Sequence, residues 1–265
     1  MHEADGVDDA TMHAFARETR LSETTFVQAA TADGADYRNR IWMPTGELPF
    51  AGHPSLGTAV AVARARGERE VTYVQQTGAG LQSIDVRIDG DRARASMLQE
   101  QAVDGPEVAP EEALPPLGLT PNEVLTPALK PQVIATGLAQ LVIPVQHAAL
   151  HHVKPDRDAL QPLLERVGAT CAYVVFWESG SGQAWARSFF IDVQGVTEDP
   201  ATGSAAGPLL HYLYSRVGVM SLEIHQGVEM GRKSLLHCRF DVDEDRIRVA
   251  GDAVVVMEGT VFFDG

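Results

Sequence analysis

Residues 50–67 read FAGHPSLGTAVAVARARG, and residues 199–218 read DPATGSAAGPLLHYLYSRVG. Each stretch opens on small and polar residues, continues as an apolar run and closes on glycine, the residue that most readily takes the left-handed conformation just past a helix end. The spacing predicts helices from about His53 to Gly67 and from about Ser204 to Gly218, each interval spanning 14 residues. Two such segments, each set among strand-like runs, point to an internal repeat of two similar halves. The apolar bodies, Leu56, Ala59, Val60 and Ala63 in one and Leu209, Leu210 and Leu213 in the other, predict that both helices are buried in sheet. Burial of that kind would set their polar starts in a cleft.

Working outward, DATMHAFARETRL (9–21) places Met12, Phe15 and Ala16 on one helical face, with Asp8 and Asp9 available to cap it. Strand-like runs follow at 24–28, 37–43, 71–75, 81–88 and 92–98, the last two joined by Asp89-Gly90-Asp91, a hairpin signal. QAVDGPEVAPEEALPPLGLTP (101–121) is rich in proline and carboxylate and reads as a connector. Strands resume at 132–135, 139–145, 172–177 and 185–192, with a helix over 156–167. After the second long helix, 222–225, 235–241, 246–249 and 253–263 again read as sheet. The fold class is therefore α/β (α+β). The expected domains are residues 1–105 with about 251–265, and residues 106–250.

Composition narrows the function. Over 265 residues, 36 Asp and Glu against 21 Lys and Arg give a net charge of −15, and no basic cluster interrupts it. Nucleic acid and anionic membrane are repelled by such a surface. Two cysteines, Cys171 and Cys238, provide neither a disulfide framework nor a cysteine-rich metal site, and a reduced, cytoplasmic setting is expected. No apolar run has the roughly 18 residues of a membrane span.

A helix start offers about four unpaired amides and a partial positive charge, so Gly52-His53-Pro54-Ser55 and Thr202-Gly203-Ser204-Ala205 are both candidate carboxylate cradles. Pro54 suits a first turn, where its missing N–H costs nothing. Small residues also begin many ordinary helices, so either loop alone would carry little. Glu23 stands in LSETTFV between a helix end and a strand, placed for acid or base work or equally for a surface role. Asp199 is either a turn-forming Asp-Pro or a second carboxylate of the site, and His53 either a proton relay or a satisfied core histidine. His147, His151 and His152 lack a convincing fourth ligand and read as structural or solvent-facing.

LSETTFV (21–27), ELPFAGHPSLGTAVAV (47–62), EDPATGSAAGPL (198–209) and HQGVEMGR (225–232), in that order, resemble the PhzF-type phenazine-biosynthesis isomerase family, whose fold is that of diaminopimelate epimerase. The match runs from about Glu18 to the C-terminus. The resemblance implies two similar domains, each a curved mixed sheet around a central helix, and a cofactor-independent isomerase of a small carboxylated metabolite. A family member of that kind isomerises trans-2,3-dihydro-3-hydroxyanthranilate. It also implies that Glu23 shuttles the proton and that His53, Asp199 and Ser204, with the amides of Gly52 and Gly203, bind and polarise the substrate. Ser22 is carried as a binding residue from the same motif, and a homodimer is the expected assembly.

Two departures stand out. Family members open with a strand and a Gly-Asn-Pro loop, whereas this chain begins MHEADGVDDATMHAF, leaving a sheet position unfilled or differently paired. Lys233 stands where proline often follows Gly-Arg, a change expected to be neutral. Related racemases use two opposed cysteines, but neither glycine-containing loop holds one. A non-catalytic binding homologue and an epimerase of amino or hydroxy acids are the alternatives.

Overall fold

The computed structural model describes residues 1–192 and 195–263. The chain forms two compact units, Met1–Met97 with the residues from Ala250 onward, and Leu98–Val249.

The first unit runs α1 (Asp9–Thr19), β1 (Thr24–Gln28), β2 (Tyr37–Met43), β3 (Gly46–Leu48), α2 (Gly52–Arg66), β4 (Glu70–Thr77), β5 (Gly80–Asp89) and β6 (Arg92–Leu98). Its sheet follows the order β1-β2-β4-β5-β6, with β3 paired to β2. All of these pairs are antiparallel except β2 with β4, whose parallel register needs a long crossover. Helix α2 supplies it. Pro54, Ser55, Thr58, Ala59, Val60, Val62 and Ala63 are all buried, a spread too wide for one stripe, so the helix is enclosed rather than laid on a surface. Its Ala and Val side chains pack against Tyr37, Tyr73, Ile84, Val86, Ala95 and Met97. Strand alternation sends Phe26 and Trp42 the other way, onto Met12 and Ala16 of α1. Asp8 caps α1 by accepting a 2.8 Å bond from the Thr11 amide, as its position before the helix implied.

The outer edge of β1 is occupied. The Val27 amide donates to Met1 O at 2.8 Å, the Ala4 amide donates to Val27 O at 3.0 Å, and the Gln28 side chain reaches Ala4 O at 3.1 Å. Residues 1–4 thus pair with β1, at the sheet position that this chain's departure from the family's opening strand was expected to leave unfilled or differently paired.

The second unit runs β7 (Val103–Glu107), α3 (Pro110–Ala113), β8 (Gln132–Ala135), β9 (Ala139–Pro144), α4 (His147–Leu150), α5 (Arg157–Val167), β10 (Cys171–Glu178), β11 (Gln183–Asp192), β12 (Gly195–Asp199), α6 (Gly203–Val217), β13 (Ser221–Gln226) and β14 (Ser234–Asp241). β15 (Arg246–Ala253) carries the chain back into the first unit. The sheet order is β14-β13-β11-β10-β9-β8-β7, with β12 on β11. β9–β10 and β11–β13 are parallel. Helix α6 is again enclosed: Ala205, Ala206, Leu209, Leu210, Tyr212 and Leu213 are all buried, among Tyr173, Val175, Ala186, Leu222, Ile224 and Cys238. Truncating one such leucine to alanine costs about 2–5 kcal/mol. Both long helices end on glycine in the left-handed region, Gly67 at φ 71° and Gly218 at φ 72°, as the repeat predicted.

Two expectations are corrected. Residues 101–121 are not a loose connector: β7 pairs with β8, and Leu114, Leu117 and Leu119 are core. Their prolines start short helices, Pro110 in α3 and Pro115 and Pro121 in single 3₁₀ turns, and Pro106 sits on an edge strand where a missing donor is tolerated. Residues 254–263 form no strand, although their β-branched run reads as one. A strand needs a neighbour to complete its hydrogen bonds, and here Val256 is 92% exposed, while Phe263 returns to stack edge-on against Phe15 at 5.7 Å.

Candidate active site

The first unit brings Glu23 and His53 together. α1 ends at Arg20, a non-glycine residue at φ 51°, and this sharp stop leaves a short bend through exposed Ser22 before β1 begins. Glu23, on the last residue of that bend, is 15% exposed and holds Oε2 2.9 Å from Nε2 of His53, itself 55% exposed. A largely shielded carboxylate joined to an exposed imidazole is an arrangement through which a proton can pass. His53 is the second residue of α2, whose N-cap is Ala51, with no side-chain cap bond.

The α2 start is fixed from behind. The Ala79 amide donates to Pro49 O at 3.0 Å, and a Cβ on Gly78 would stand 3.0 Å from Pro49 Cα, so only glycine lets the β4–β5 turn approach this closely.

The second unit repeats the device. Gly227, just after β13, abuts Pro200: an added Cβ would lie 3.0 Å from Pro200 and 2.4 Å from Arg232 O, and its φ is +73°. In both units the buttressed proline precedes the first glycine of the helix by three residues, Pro49 before Gly52 and Pro200 before Gly203. α6, like α2, has no side-chain cap, because Thr202 spends its hydroxyl on Asp199 Oδ2 at 2.6 Å. α1 and α5 differ, being capped by Asp8 and Asp156. Neither repeat helix spends a side chain on its first-turn amides, although in α6 the Gly203 amide reaches Ala201 O at 3.2 Å and the Ala205 amide Thr202 O at 3.1 Å.

Gly52 and Gly203 have another property in common. An added Cβ at either would meet nothing within 4 Å, and neither has a positive φ, so packing does not demand glycine there. What glycine preserves is open space beside the helix start. Ser204 receives a long 3.5 Å bond from Gln140, and the Gly203 carbonyl receives Gln99 Nε2 at 2.8 Å.

The sequence does not by itself single out Gln226, Tyr173 or the Thr202–Asp199 hydrogen bond. Gln226 is fully buried, bonded to Tyr173, Thr202 and the Asp199 carbonyl. Its signal was present in HQGVEMGR, since a buried glutamine must find partners.

Neither cysteine stands at a helix start. Cys171 in β10 and Cys238 in β14 are fully enclosed; burial pushes the Cys171 thiol up to about 12 and raises Cys238 as well. Of the histidine group, His152 pairs with Glu123 at 2.7 Å and His151 with Glu229 at 3.4 Å, and His147 packs on Phe176. Among the described residues no helix is long and apolar enough to cross a membrane.

A sequence profile described as "Phenazine biosynthesis-like protein" matches residues 1–259. Trans-2,3-dihydro-3-hydroxyanthranilate isomerase of Pseudomonas aeruginosa is 34% identical over 270 residues, spanning 98% of this chain and 91% of that protein. The solved structure of a predicted epimerase from Pseudomonas aeruginosa aligns at TM-score 0.80 and 29% identity, covering 97% of this chain and 92% of its own. A hydroxyproline epimerase from Agrobacterium vitis aligns at TM-score 0.58 and 14% identity over 88% of this chain and 72% of that one, a likeness of fold alone.

Proposed function

We propose, since the chain belongs to the phenazine biosynthesis-like protein family and is an isomerase, that it moves a proton within a small carboxylated, unsaturated metabolite and needs no cofactor to do so. The observation that carries this reading is the Glu23–His53 contact at 2.9 Å beside an uncapped helix start. Glu23, as the carboxylate, takes a proton from a saturated carbon next to the conjugated system. The electron pair of the broken C–H bond shifts along that system, and the carboxylic acid so formed returns the proton to a carbon further along. Atoms and electrons balance within the substrate, so no electron or hydride acceptor is required.

The other roles follow from chemistry. His53 stabilises and exchanges the proton on Glu23. Ser22 and the amide at Gly52 supply donors for the substrate carboxylate. Asp199 and Ser204 hydrogen-bond the substrate's polar substituents and polarise it. The free, buried thiols suit a reducing compartment, and we assign the enzyme to the cytoplasm as a homodimer.

Trans-2,3-dihydro-3-hydroxyanthranilate, the substrate in the relative's name, is the first compound to test, in deuterated water with NMR detection. Deuterium should appear at the newly formed C–H, and Glu23→Gln should slow turnover by about 10²–10⁴-fold with little change in substrate affinity. Unchanged turnover in Glu23→Gln would remove the assignment. Failure of the natural protein to exchange hydrogen in this compound or in a panel of small unsaturated carboxylates would remove the function.

A further inference from the structure

Four side chains behind the start of α6 form one directed chain of hydrogen bonds. Tyr173, in β10, and Gln226, at the end of β13, are fully buried, and Thr202 is nearly so. The Asp199 backbone carbonyl can only accept, so the group facing it at 2.7 Å must be the Gln226 NH₂. That fixes the amide the other way round at its oxygen, which accepts from the Tyr173 hydroxyl at 3.0 Å. The same NH₂ donates to Thr202 Oγ1 at 2.8 Å. With its oxygen already accepting, Thr202 turns its own proton to Asp199 Oδ2, 2.6 Å away. Every donor in the series points toward the carboxylate, while Asp199 Oδ1 has a long 3.4 Å approach from the Ala201 amide.

We propose that Gln226 is a positioning residue for the isomerase reaction: acting through Thr202, it fixes the rotamer and hydrogen-bond polarity of Asp199 so that Oδ1 is the oxygen offered to the substrate. This rests on the reading that Asp199 touches the substrate. Glutamine is suited to the task because one planar group donates twice and accepts once. Glutamate in its place would draw the Thr202 proton to itself and leave Asp199 without it. A methionine of similar length would leave Thr202 free to turn.

The test combines kinetics with crystallography. With trans-2,3-dihydro-3-hydroxyanthranilate as the probe, Thr202→Val and Gln226→Met should each lower kcat by about 10- to 100-fold, the loss expected of one hydrogen bond to a charged group, while Thr202→Ser restores it. Because both act through one oxygen, the double variant should be no slower than Thr202→Val alone. Additive losses, or a natural kcat in Thr202→Val, overturn the proposal. Crystal structures of Thr202→Val and Gln226→Met should show the Asp199 carboxylate turned from its present rotamer, and an unmoved carboxylate in both overturns the proposal independently of turnover. Should the natural protein be inert toward the probe, the functional reading fails and the rotamer alone decides this one. Tyr173→Phe loses only the terminal hydroxyl of the chain and keeps the core shape, so it stands in for Gln226→Met if that variant does not fold; its Thr202–Asp199 bond should lengthen, and an unchanged distance counts against the proposal.

Discussion

Substituting four glycines to alanine separates glycines kept for packing from those kept for a ligand. At Gly227 the added methyl would sit 2.4 Å from Arg232 O, inside any allowed contact, and the residue would be held at φ +73°. Left-handed backbone costs a non-glycine residue about 1–2 kcal/mol, and forced overpacking adds about 1–3 kcal/mol. Gly227→Ala should therefore lose about 2–5 kcal/mol, a large part of the roughly 5–15 kcal/mol that holds a domain together. With about 2–4 °C per kcal/mol for a chain of this size, its melting temperature should fall by roughly 4–20 °C. Gly78→Ala, whose Cβ would press on Pro49 at 3.0 Å without a positive φ, should lose less.

Gly52→Ala and Gly203→Ala should behave in the opposite way. Neither methyl meets anything within 4 Å, and alanine favours the helix, so stability should hold within about 0.5 kcal/mol or rise slightly. Turnover, however, should drop by about 10-fold or more, because the methyl fills space beside the amides that a substrate carboxylate would approach. Thermal unfolding together with deuterium exchange from solvent gives both readouts on the same samples. If Gly52→Ala and Gly203→Ala keep full turnover, the open space at the two helix starts holds no part of the substrate, and the reasoning from uncapped helices to ligand binding is wrong.

Other expectations are more local. The native protein should react with a thiol reagent at pH 8 at neither cysteine until denaturant is added, since burial pushes Cys171 up to about 12 and raises Cys238; rapid native labelling would contradict the burial. Arg20→Gly should stabilise by up to about 1 kcal/mol, relieving the left-handed C-cap of α1, as measured by urea unfolding. His225, stacked on Trp185 at 5.1 Å, has its pKa lowered by burial, so the unfolded state binds its proton first as pH falls. Its contribution should be complete above the ordinary pKa near 6.5 and be lost below it, and His225→Gln should flatten that part of the stability curve between pH 7 and 5. Deuterium should enter the substrate on the face from which the proton left, and no proline-type stereocentre should be racemised; NMR of the labelled product decides this.

How much of this was legible in the sequence depended on how local each signal is. The strands at 24–28, 37–43 and 92–98, and the hairpin through Gly90, were readable because alternation and turn chemistry act between neighbouring residues. The left-handed glycines closing α2 and α6 were readable for the same reason. Short edge strands such as β3, β7 and β12 were not, since a neighbouring strand holds them rather than their own propensity. The valine run at 254–256 failed in the opposite sense: its propensity is for strand, and it has no ladder to join. Glu23 and His53 were named from their motifs, but their 2.9 Å approach joins residues thirty positions apart. Gln226 needed still more, because its role appears only once β10, β13 and the α6 start are assembled.

The chemistry proposed for this chain follows from what stands at the starts of its two long repeat helices, neither of which has a side-chain cap. Inverting a carbon centre needs a base on one face and an acid on the other, and the thiol version of that reaction needs sulfur at both. Here the residues opening α2 and α6 are Gly52-His53-Pro54-Ser55 and Gly203-Ser204-Ala205-Ala206, and both thiols are enclosed elsewhere in the second unit, with burial holding them protonated. A single carboxylate cannot serve two faces, yet it can take a proton from one carbon and return it to another on the same side. Glu23 has the shielding for that task and His53 the exposure to exchange protons with water. The fold, shared with a hydroxyproline epimerase, does not by itself dictate the reaction, and the proton transfer proposed for this chain rests instead on its own helix starts, each braced by a glycine against a proline.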